Sequence, residues 1–219
     1  MNQSIPDKIK KNIPHKTLDI FNKFTKEGFE IYLVGGAVRD LLLNKKEIKD
    51  LDFTTNATPQ QIQMLYPKGF YDNNFGTVRI PSKEGLLEIT TYRSEKGYGD
   101  FRHPDKITWG KTLEEDLKRR DFTVNAIALG PSKLIDLFDG QKDLKNKLIR
   151  CVGNPDERFG EDALRILRAI RFATKLGFEI EPKTFTALTK NASLLTNISG
   201  ERIREELFKI LLELLLVHM

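Results

Sequence analysis

Two aspartates, Asp50 and Asp52, stand one residue apart in a segment whose composition predicts a strand from Lys49 to Thr55. Side chains alternate along a strand, so both carboxylates would project to the same face. Neighbouring carboxylates repel each other, and a cation between them removes that cost. Carboxylate oxygens suit Mg²⁺. The segment therefore predicts a magnesium site, although two surface acids on a solvated strand edge would show the same spacing.

A glycine pair lies upstream of these acids. The apolar, partly β-branched segment from Phe29 to Val34 predicts a strand, and Gly35 and Gly36 follow it directly. Glycines let the backbone approach a ligand where a Cβ would collide. The residues that follow have helical apolar spacing, so the unpaired N-terminal amides of a helix would face an anion there. Arg39, in the first turns, adds a guanidinium suited to phosphate. A plain tight turn is the alternative.

A third acid, Glu88, stands in the middle of an apolar segment, Leu86 to Tyr92, that predicts another strand. Two interpretations of this acid remain open. Glu88 is either a third carboxylate beside Asp50 and Asp52 or a solvent-facing residue of a half-exposed sheet.

A charged segment, residues 114–121, meets an apolar one, residues 122–129. The charge pattern alone would indicate a solvated helix face. Since the following segment is apolar enough to be buried, Arg119, Arg120 and Asp121 are expected where surface meets core. An arginine at that boundary could contact an anionic substrate, or it could form a structural ion pair.

Charged residues also recur along a predicted helix from Glu161 to Leu176, which Gly177 should end. Residues three apart are neighbours on a slowly turning stripe. The stripe consists of one acid and three arginines: Asp162, Arg165, Arg168 and Arg171. Three cations with one acid are not internally compensated, so the stripe indicates an anionic ligand. A surface ion pair of Asp162 with Arg165 is the alternative.

Four segments stand in the order found in one family of enzymes. They are Gly35 to Asp40, Asp50 to Asp52, Arg119 to Ala126 and Glu161 to Arg171. The chain thereby resembles the class II tRNA nucleotidyltransferases, which comprise the CCA-adding enzymes and the related bacterial poly(A) polymerases. The resemblance implies an α+β fold. It consists of a polymerase-β-type head with a small mixed or antiparallel sheet, residues 1–150, and an all-helical neck, residues 151–219, without the body and tail domains of full enzymes.

The resemblance also implies roles for the residues already described. Asp50 and Asp52, with Glu88 as a third candidate, would be catalytic and hold Mg²⁺. Asp121 and Asn125 would support the site. The expected nucleotide-binding residues are Gly35, Gly36, Arg39, Arg120, Asp162, Arg165, Arg168 and Arg171. Residues 94–112, which include His103 as a weakly supported general base, correspond to a flexible lid.

The implied activity is template-independent addition of CMP, AMP or both, from CTP and ATP, to the 3′ end of tRNA, with release of pyrophosphate. A poly(A) polymerase that uses ATP alone is the alternative within the family. A catalytically idle nucleotide- or RNA-binding module is the alternative from another class.

The composition of the chain limits the classes of protein to which it can belong. Among 219 residues there are one cysteine and three histidines, which excludes an internal disulfide and gives no zinc pattern. No apolar run is long enough to span a membrane, so a cytoplasmic location is expected. The net charge of +5 favours anionic partners only weakly. The amphipathic C-terminal run, residues 203–215, could mediate self-association.

Overall fold

The computed structural model describes residues 2–48, 50–72, 76–82, 85–96, 106–109 and 112–217. The strands are β1 (Asn2–Ser4), β2 (Ile31–Val34), β3 (Asp52–Thr55), β4 (Phe70–Asp72), β5 (Thr77–Ser82), β6 (Gly85–Thr91), β7 (Arg93–Lys96), β8 (Lys106–Trp109), β9 (Ile127–Leu129), β10 (Lys133–Asp136), β11 (Leu148–Ile149) and β12 (Glu179–Ile180). The helices are α1 (Asp7–Lys10), α2 (His15–Lys26), α3 (Gly36–Leu42), α4 (Pro59–Leu65), α5 (Leu113–Lys118), α6 (Gly140–Asn146), α7 (Pro155–Glu161), α8 (Leu164–Leu176), α9 (Pro182–Lys190) and α10 (Gly200–Val217). Short 3-10 helices cover Thr123–Asn125 and Ala192–Asn197.

An eight-stranded sheet, in the order β1-β10-β9-β2-β3-β6-β5-β4, forms the centre of the first part of the chain. Its neighbouring strands are antiparallel except for β3 and β6, which run parallel. The predicted α+β fold with a mixed sheet is confirmed. The parallel register sets Asp52 opposite Glu88 and brings together two acids that lie far apart in the sequence.

Alternation along the strands separates an apolar face from the face that carries the acids. On one face Phe53 of β3 packs edge-on against Phe21 of α2, with ring centroids 6.1 Å apart. Both rings are almost completely buried, and burying a side chain of this size contributes about 1.5–3 kcal/mol. Since Asp52 and Glu88 precede Phe53 and Ile89 by one residue, their side chains project from the opposite face.

That second face is covered in part by α5. Leu113 and Leu117, one helical turn apart, belong to a buried cluster with Tyr32 and Val34 of β2 and with Tyr92. The cluster fixes α5 over β2 and leaves the end of the helix near the point where β2 gives way to α3. The sheet and α5 therefore position the residues at the ends of β2, β3 and α5.

Some local predictions need correction. The strand predicted from Lys49 begins only at Asp52. Residues 94–112, predicted as a loop without regular structure, contain most of β7 and all of β8, which form a separate two-stranded sheet. The remainder of the predicted lid, including His103, lies outside the described residues.

The chain packs as two compact units. The first comprises residues 1–94, 107–120 and 125–141, and the second comprises residues 95–106, 121–124 and 142–219. The boundary at 120/121 separates two adjacent residues of the predicted site. The predicted division into residues 1–150 and 151–219 stays a prediction.

The second unit is mainly helical. Within it α8 packs against α10 and α7 packs against α9. Gly177 ends α8 in the left-handed conformation, with φ of 64°, as the sequence predicted. The short parallel pair of β11 and β12 is an addition to the predicted all-helical neck. Within the described residues, no helix combines the length and apolar character needed to span a bilayer.

Candidate functional site

The turn between β2 and α3 is built on Gly35. Its φ of 73° and ψ of −138° lie where L side chains are strained, so the backbone requires glycine. A Cβ at Gly35 would lie 3.8 Å from Oδ2 of Asp52 and 3.6 Å from Nη1 of Arg120. The predicted strand–glycine–helix turn is therefore present. It also brings the glycine, an acid and an arginine together from three parts of the sequence.

Asp50 does not share the strand conformation of Asp52. Asp52 is the first residue of β3, whereas Asp50 precedes the strand in the left-handed region, with φ of 52°. Aspartate is among the few residues that adopt this conformation readily. The argument that strand alternation puts both carboxylates on one face is therefore wrong for Asp50. The charge of Asp50 nevertheless acts on Asp52, so the two acids remain electrostatic neighbours.

The Asp52 carboxyl group has an unusual electrostatic environment. Part of the Asp52 side chain is exposed to solvent, but nearby protein atoms exclude water from around the carboxyl group. This desolvation raises the pKa of Asp52 to about 6. Arg120 opposes the rise, whereas Glu88 and Asp50 add to it. No hydrogen bond or ion pair joins the carboxylate of Asp50 or of Asp52 to another described residue. A cation would relieve this repulsion, so the pair fits a hard metal ion.

Glu88 adds negative charge near Asp52 but has its own protein partner. Nε of Arg79 on the neighbouring strand donates to Oε1 of Glu88 at 2.8 Å, and both side chains are partly exposed. In the part of the chain that the structure describes, no group of three acids, histidines or cysteines is arranged to hold a metal. The geometry thus singles out Asp50 and Asp52 and leaves the ligand role of Glu88 a prediction.

Arg39 is buried, with 4% of its surface exposed. Its Nε donates to Asp40 Oδ1 at 2.9 Å, and its Nη1 donates to Asn125 Oδ1 at 2.9 Å. A guanidinium held in this way ties α3 to the 3-10 helix rather than presenting an open fork to phosphate. The predicted nucleotide-binding role of Arg39 stays a prediction. Asn125 thus contacts Arg39, and its predicted supporting role stays a prediction.

Arg120 lies at the end of α5 and is anchored by a residue that sequence reasoning missed. Nη2 of Arg120 donates to Oδ2 of Asp116 at 3.2 Å, while Arg119 donates to Oδ1 at 2.7 and 3.0 Å. Asp116 is completely buried, although its charged surroundings in the sequence indicated a solvated face. The apolar spacing of Leu113 and Leu117 was the signal for a buried helix face that includes position 116.

In the second unit, Asp162 lies outside the helix predicted to carry it. Helix α7 ends at Glu161 and α8 begins at Leu164, and Asp162 between them has an extended φ of −140°. Its Oδ1 accepts from the backbone amide of Leu164 at 3.1 Å. Nη2 of Arg202, on α10, donates to Oδ2 at 3.1 Å. Asp162 therefore precedes α8 and accepts a hydrogen bond from its first residue, instead of beginning a stripe along the helix.

Arg168 has a buried acid as its partner. Its Nη2 and Nε donate to Oδ2 of Asp121 at 2.6 and 2.9 Å, and the Phe122 amide donates to Oδ1 at 2.8 Å. Burial disfavours the charged form of Asp121, but Arg168 outweighs burial and holds the pKa of Asp121 below its ordinary value. The pKa of Arg168 is raised: burial alone would lower it, and Asp121 reverses that effect. The predicted supporting role of Asp121 thus has a physical basis in this pair.

The other two arginines of α8 are also paired. Nη1 of Arg165 donates to Oε2 of Glu161 at 2.6 Å, and Nε of Arg171 donates to Oε1 of Glu206. Both side chains are largely buried. The prediction that the row of arginines lacks internal compensation is wrong, because other elements supply the acids. An anionic ligand would have to compete with these partners.

Two family models match this chain. Residues 31–150 match the family described as the poly A polymerase head domain. Residues 177–214 match a family described as a probable RNA and SrmB-binding site of polymerase A. The first match covers more than half of the chain, so the chain belongs to the poly A polymerase head domain family.

Similar proteins include the CCA-adding enzyme of Ligilactobacillus salivarius (strain UCC118), which is 49% identical over 212 residues, or 96% of this chain and 51% of the relative. The CCA-adding enzyme of Bacillus stearothermophilus in complex with CTP superposes with a TM-score of 0.81 at 41% identity, over 90% of this chain and 48% of that one. The Thermotoga maritima enzyme complexed with tRNA-CCA gives a TM-score of 0.79 at 32% identity, over 96% and 51%. The chain thus spans about half the length of the relatives that it matches.

Proposed function

We propose that this chain is the head and neck of a template-independent RNA nucleotidyltransferase that adds CMP and AMP, from CTP and ATP, to the 3′ end of tRNA. The observation that carries the proposal is the acidic pair Asp50 and Asp52. Among the described residues the pair has no ion-pair partner, and Asp52 lies beside Gly35 and Arg120. Relatives that match over nearly the whole chain are CCA-adding enzymes, and this supports the choice of reaction.

In the proposed reaction, the RNA 3′-hydroxyl attacks the α-phosphorus of the incoming nucleotide, and pyrophosphate leaves. Asp50 and Asp52 would hold Mg²⁺, which would supply charge neutralisation at the phosphates and activation of the hydroxyl. Arg120, next to the glycine turn, would neutralise and orient the phosphates. Gly35 and Gly36 would let the backbone come close to them, since no Cβ stands in the way.

Base selection is assigned to Asp162 and Arg165. Cytosine and adenine both present an amino donor beside a ring-nitrogen acceptor, so a carboxylate and a guanidinium can pair with either. Uracil and guanine present a carbonyl and a ring N–H instead. The contacts of Asp162 with Arg202 and of Arg165 with Glu161 occupy the groups that this pairing requires. They must loosen when a base binds.

The phosphate roles of Arg168 and Arg171 belong to the same proposal. Both arginines are paired with acids, so a phosphate would have to compete with Asp121 and Glu206 for them. Arg39 would hold α3 in place through Asn125. Its effect on phosphate would then be indirect.

The proposal is tested with a tRNA that lacks its terminal CCA. The protein is incubated with each nucleoside triphosphate singly and in combination, with Mg²⁺ or with EDTA, and the RNA 3′ ends are sequenced. We expect CMP and AMP to be added only with Mg²⁺, and no product from Asp52→Asn. Tails of A alone on any RNA would identify a poly(A) polymerase. Nucleotide binding without incorporation would identify an idle binding module.

Two further expectations stay predictions. One is the cytoplasmic location. The other is self-association through α10, whose outer side exposes several large apolar residues: Leu207, Phe208, Leu211, Leu212, Leu214 and Leu215.

A further inference from the structure

We propose that Asp116 is a positioning residue for nucleotide binding, which fixes the guanidinium of Arg120 beside the glycine turn and Asp52. The inference rests on the proposed function, because it assigns Asp116 a role through a residue expected to contact phosphate. Asp116 itself is completely buried and is not expected to touch the nucleotide.

The geometry of α5 divides the Asp116 carboxylate between two arginines. Oδ1 accepts two hydrogen bonds from Arg119, and Oδ2 accepts one from Nη2 of Arg120 at 3.2 Å. The acid lies three and four residues before the arginines, so all three side chains meet over one helical turn. Each carboxylate oxygen therefore holds a different arginine. Replacing one oxygen should displace one guanidinium more than the other.

Arg120 needs this anchor because it has few other contacts with the residues that the structure describes. Its Nε is buried and has no hydrogen-bond partner among them. Its Nη1 points to the glycine turn, 3.6 Å from where a Gly35 Cβ would stand. The hydrogen bond from Nη2 to Asp116 thus fixes the plane of the guanidinium, while Nη1 remains directed to the glycine turn beside Asp52. A guanidinium acts on phosphate through a fork of fixed direction, so its orientation determines its effect.

The charge state of Asp116 suits this role. Burial alone would raise the pKa of its carboxyl group, but Arg119 and Arg120 outweigh burial and hold the pKa below its ordinary value. The acid is therefore ionised at neutral pH. The segment is also rigid, because Thr112 caps α5 and Leu113 and Leu117 fix it against the sheet.

The test compares binding of CTP with binding of cytidine, which has the same base and no phosphate. Affinities are measured for wild type, for Asp116→Asn and for the matched control Glu114→Gln. Cytidine binding is measured by competition with CTP. Misplacing a phosphate-binding group should weaken CTP binding by about tenfold or more and leave cytidine binding unchanged. Glu114→Gln, which removes an exposed charge from α5 and leaves Asp116 and both arginines in place, should bind both ligands like wild type.

A second measurement separates positioning from a general loss of structure. In an Arg120→Ala background, Asp116→Asn should cause no further loss of CTP affinity, because the group it positions is already absent. If Asp116→Asn does not fold, the double variant Asp116→Asn with Arg119→Met removes a buried charge along with the acid and takes its place.

Each outcome decides one claim. Equal loss of CTP and cytidine binding, or an additive loss in the Arg120→Ala background, would show that Asp116 is only structural and overturn the inference. Unchanged CTP binding in Asp116→Asn would do the same. Failure of the wild-type protein to bind CTP with Mg²⁺ would instead overturn the proposed function.

Discussion

The acids at β3 and the arginines of α8 are both sets of like charges, but the protein neutralises only one of them. Asp50 and Asp52 have no basic partner within ion-pair distance among the described residues, and the pKa of Asp52 is raised. The arginines of α8 are paired with acids from other segments: Glu161, Asp121 and Glu206. The first set is left for a ligand to neutralise, whereas the second is built into the fold. Removing an acid at β3 should therefore reduce activity without loss of stability, whereas removing an acid that pairs with α8 should mainly reduce stability.

The largest effect is expected from Asp52→Asn. Loss of a metal ligand should reduce incorporation by at least about 10²-fold. The metal-free protein should not lose stability, because the folded state disfavours the ionised carboxylate. Because the pKa of Asp52 is raised in the folded state, its protonated carboxyl group stabilises the fold at low pH. This stabilisation is lost as pH rises to about 6.

These expectations are checked by primer-extension rates on tRNA and by melting at pH 4 and pH 8 without metal. Asp19→Asn, which removes an exposed acid from α2, is the matched control and should alter neither activity nor stability. An active Asp52→Asn protein, or one that melts well below wild type at pH 8, would contradict the comparison.

Asp121→Asn should act mainly on stability. It leaves Arg168 without its acid, and breaking a buried pair costs about 3–5 kcal/mol. Because Arg168 is partly exposed, we expect the lower end, about 3 kcal/mol. The pKa of Asp121 is lowered, so this contribution is present above the ordinary carboxyl pKa and is lost as pH falls.

Urea unfolding at pH 7 and at low pH measures this effect, and the difference from wild type should shrink in acid. Lys10→Ala, which breaks an exposed pair with Asp7, is the control and should hardly change the midpoint. If Asp121→Asn unfolds like wild type while nucleotide affinity falls, Arg168 serves the ligand rather than the fold.

Asp162→Ala should narrow nucleotide selectivity. Unmade charge-assisted hydrogen bonds cost about 1.5–3 kcal/mol, so the preference for CTP and ATP over UTP and GTP should fall by roughly tenfold or more. Incorporation of each nucleotide by Asp162→Ala and by Arg202→Ala measures this preference. Arg202→Ala keeps the carboxylate and should keep the preference. Identical behaviour of the two variants would reduce Asp162 to a structural partner of Arg202.

A smaller effect is expected from pH on metal binding. Asp52 must be ionised to hold a cation, and its pKa is about 6. Mg²⁺ affinity should therefore fall by about tenfold for each pH unit below 6 and change little above 7. Calorimetric titration with Mg²⁺ between pH 5 and pH 8 tests this. A flat profile would mean that Asp52 is not a metal ligand or that its environment differs from the one described.

The sequence alone determined the elements with strong local signals. The apolar segment before Gly35 predicted β2. Gly177 marked the end of α8. Local signals suffice in these places because the hydrogen bonds and backbone angles involve residues only a few positions apart. The order of the four motifs also determined the family.

Only the tertiary structure decided how the charges are paired. Asp116 belonged to a segment that looked solvated, and the packing of Leu113 and Leu117 buries it. The row of arginines looked uncompensated because the acids for Arg168 and Arg171 come from positions 121 and 206. Local patterns cannot predict such partners, since they depend on which elements pack together. Whether a charge is available to a ligand was therefore a property of the fold, whereas the presence of the charge was a property of the sequence.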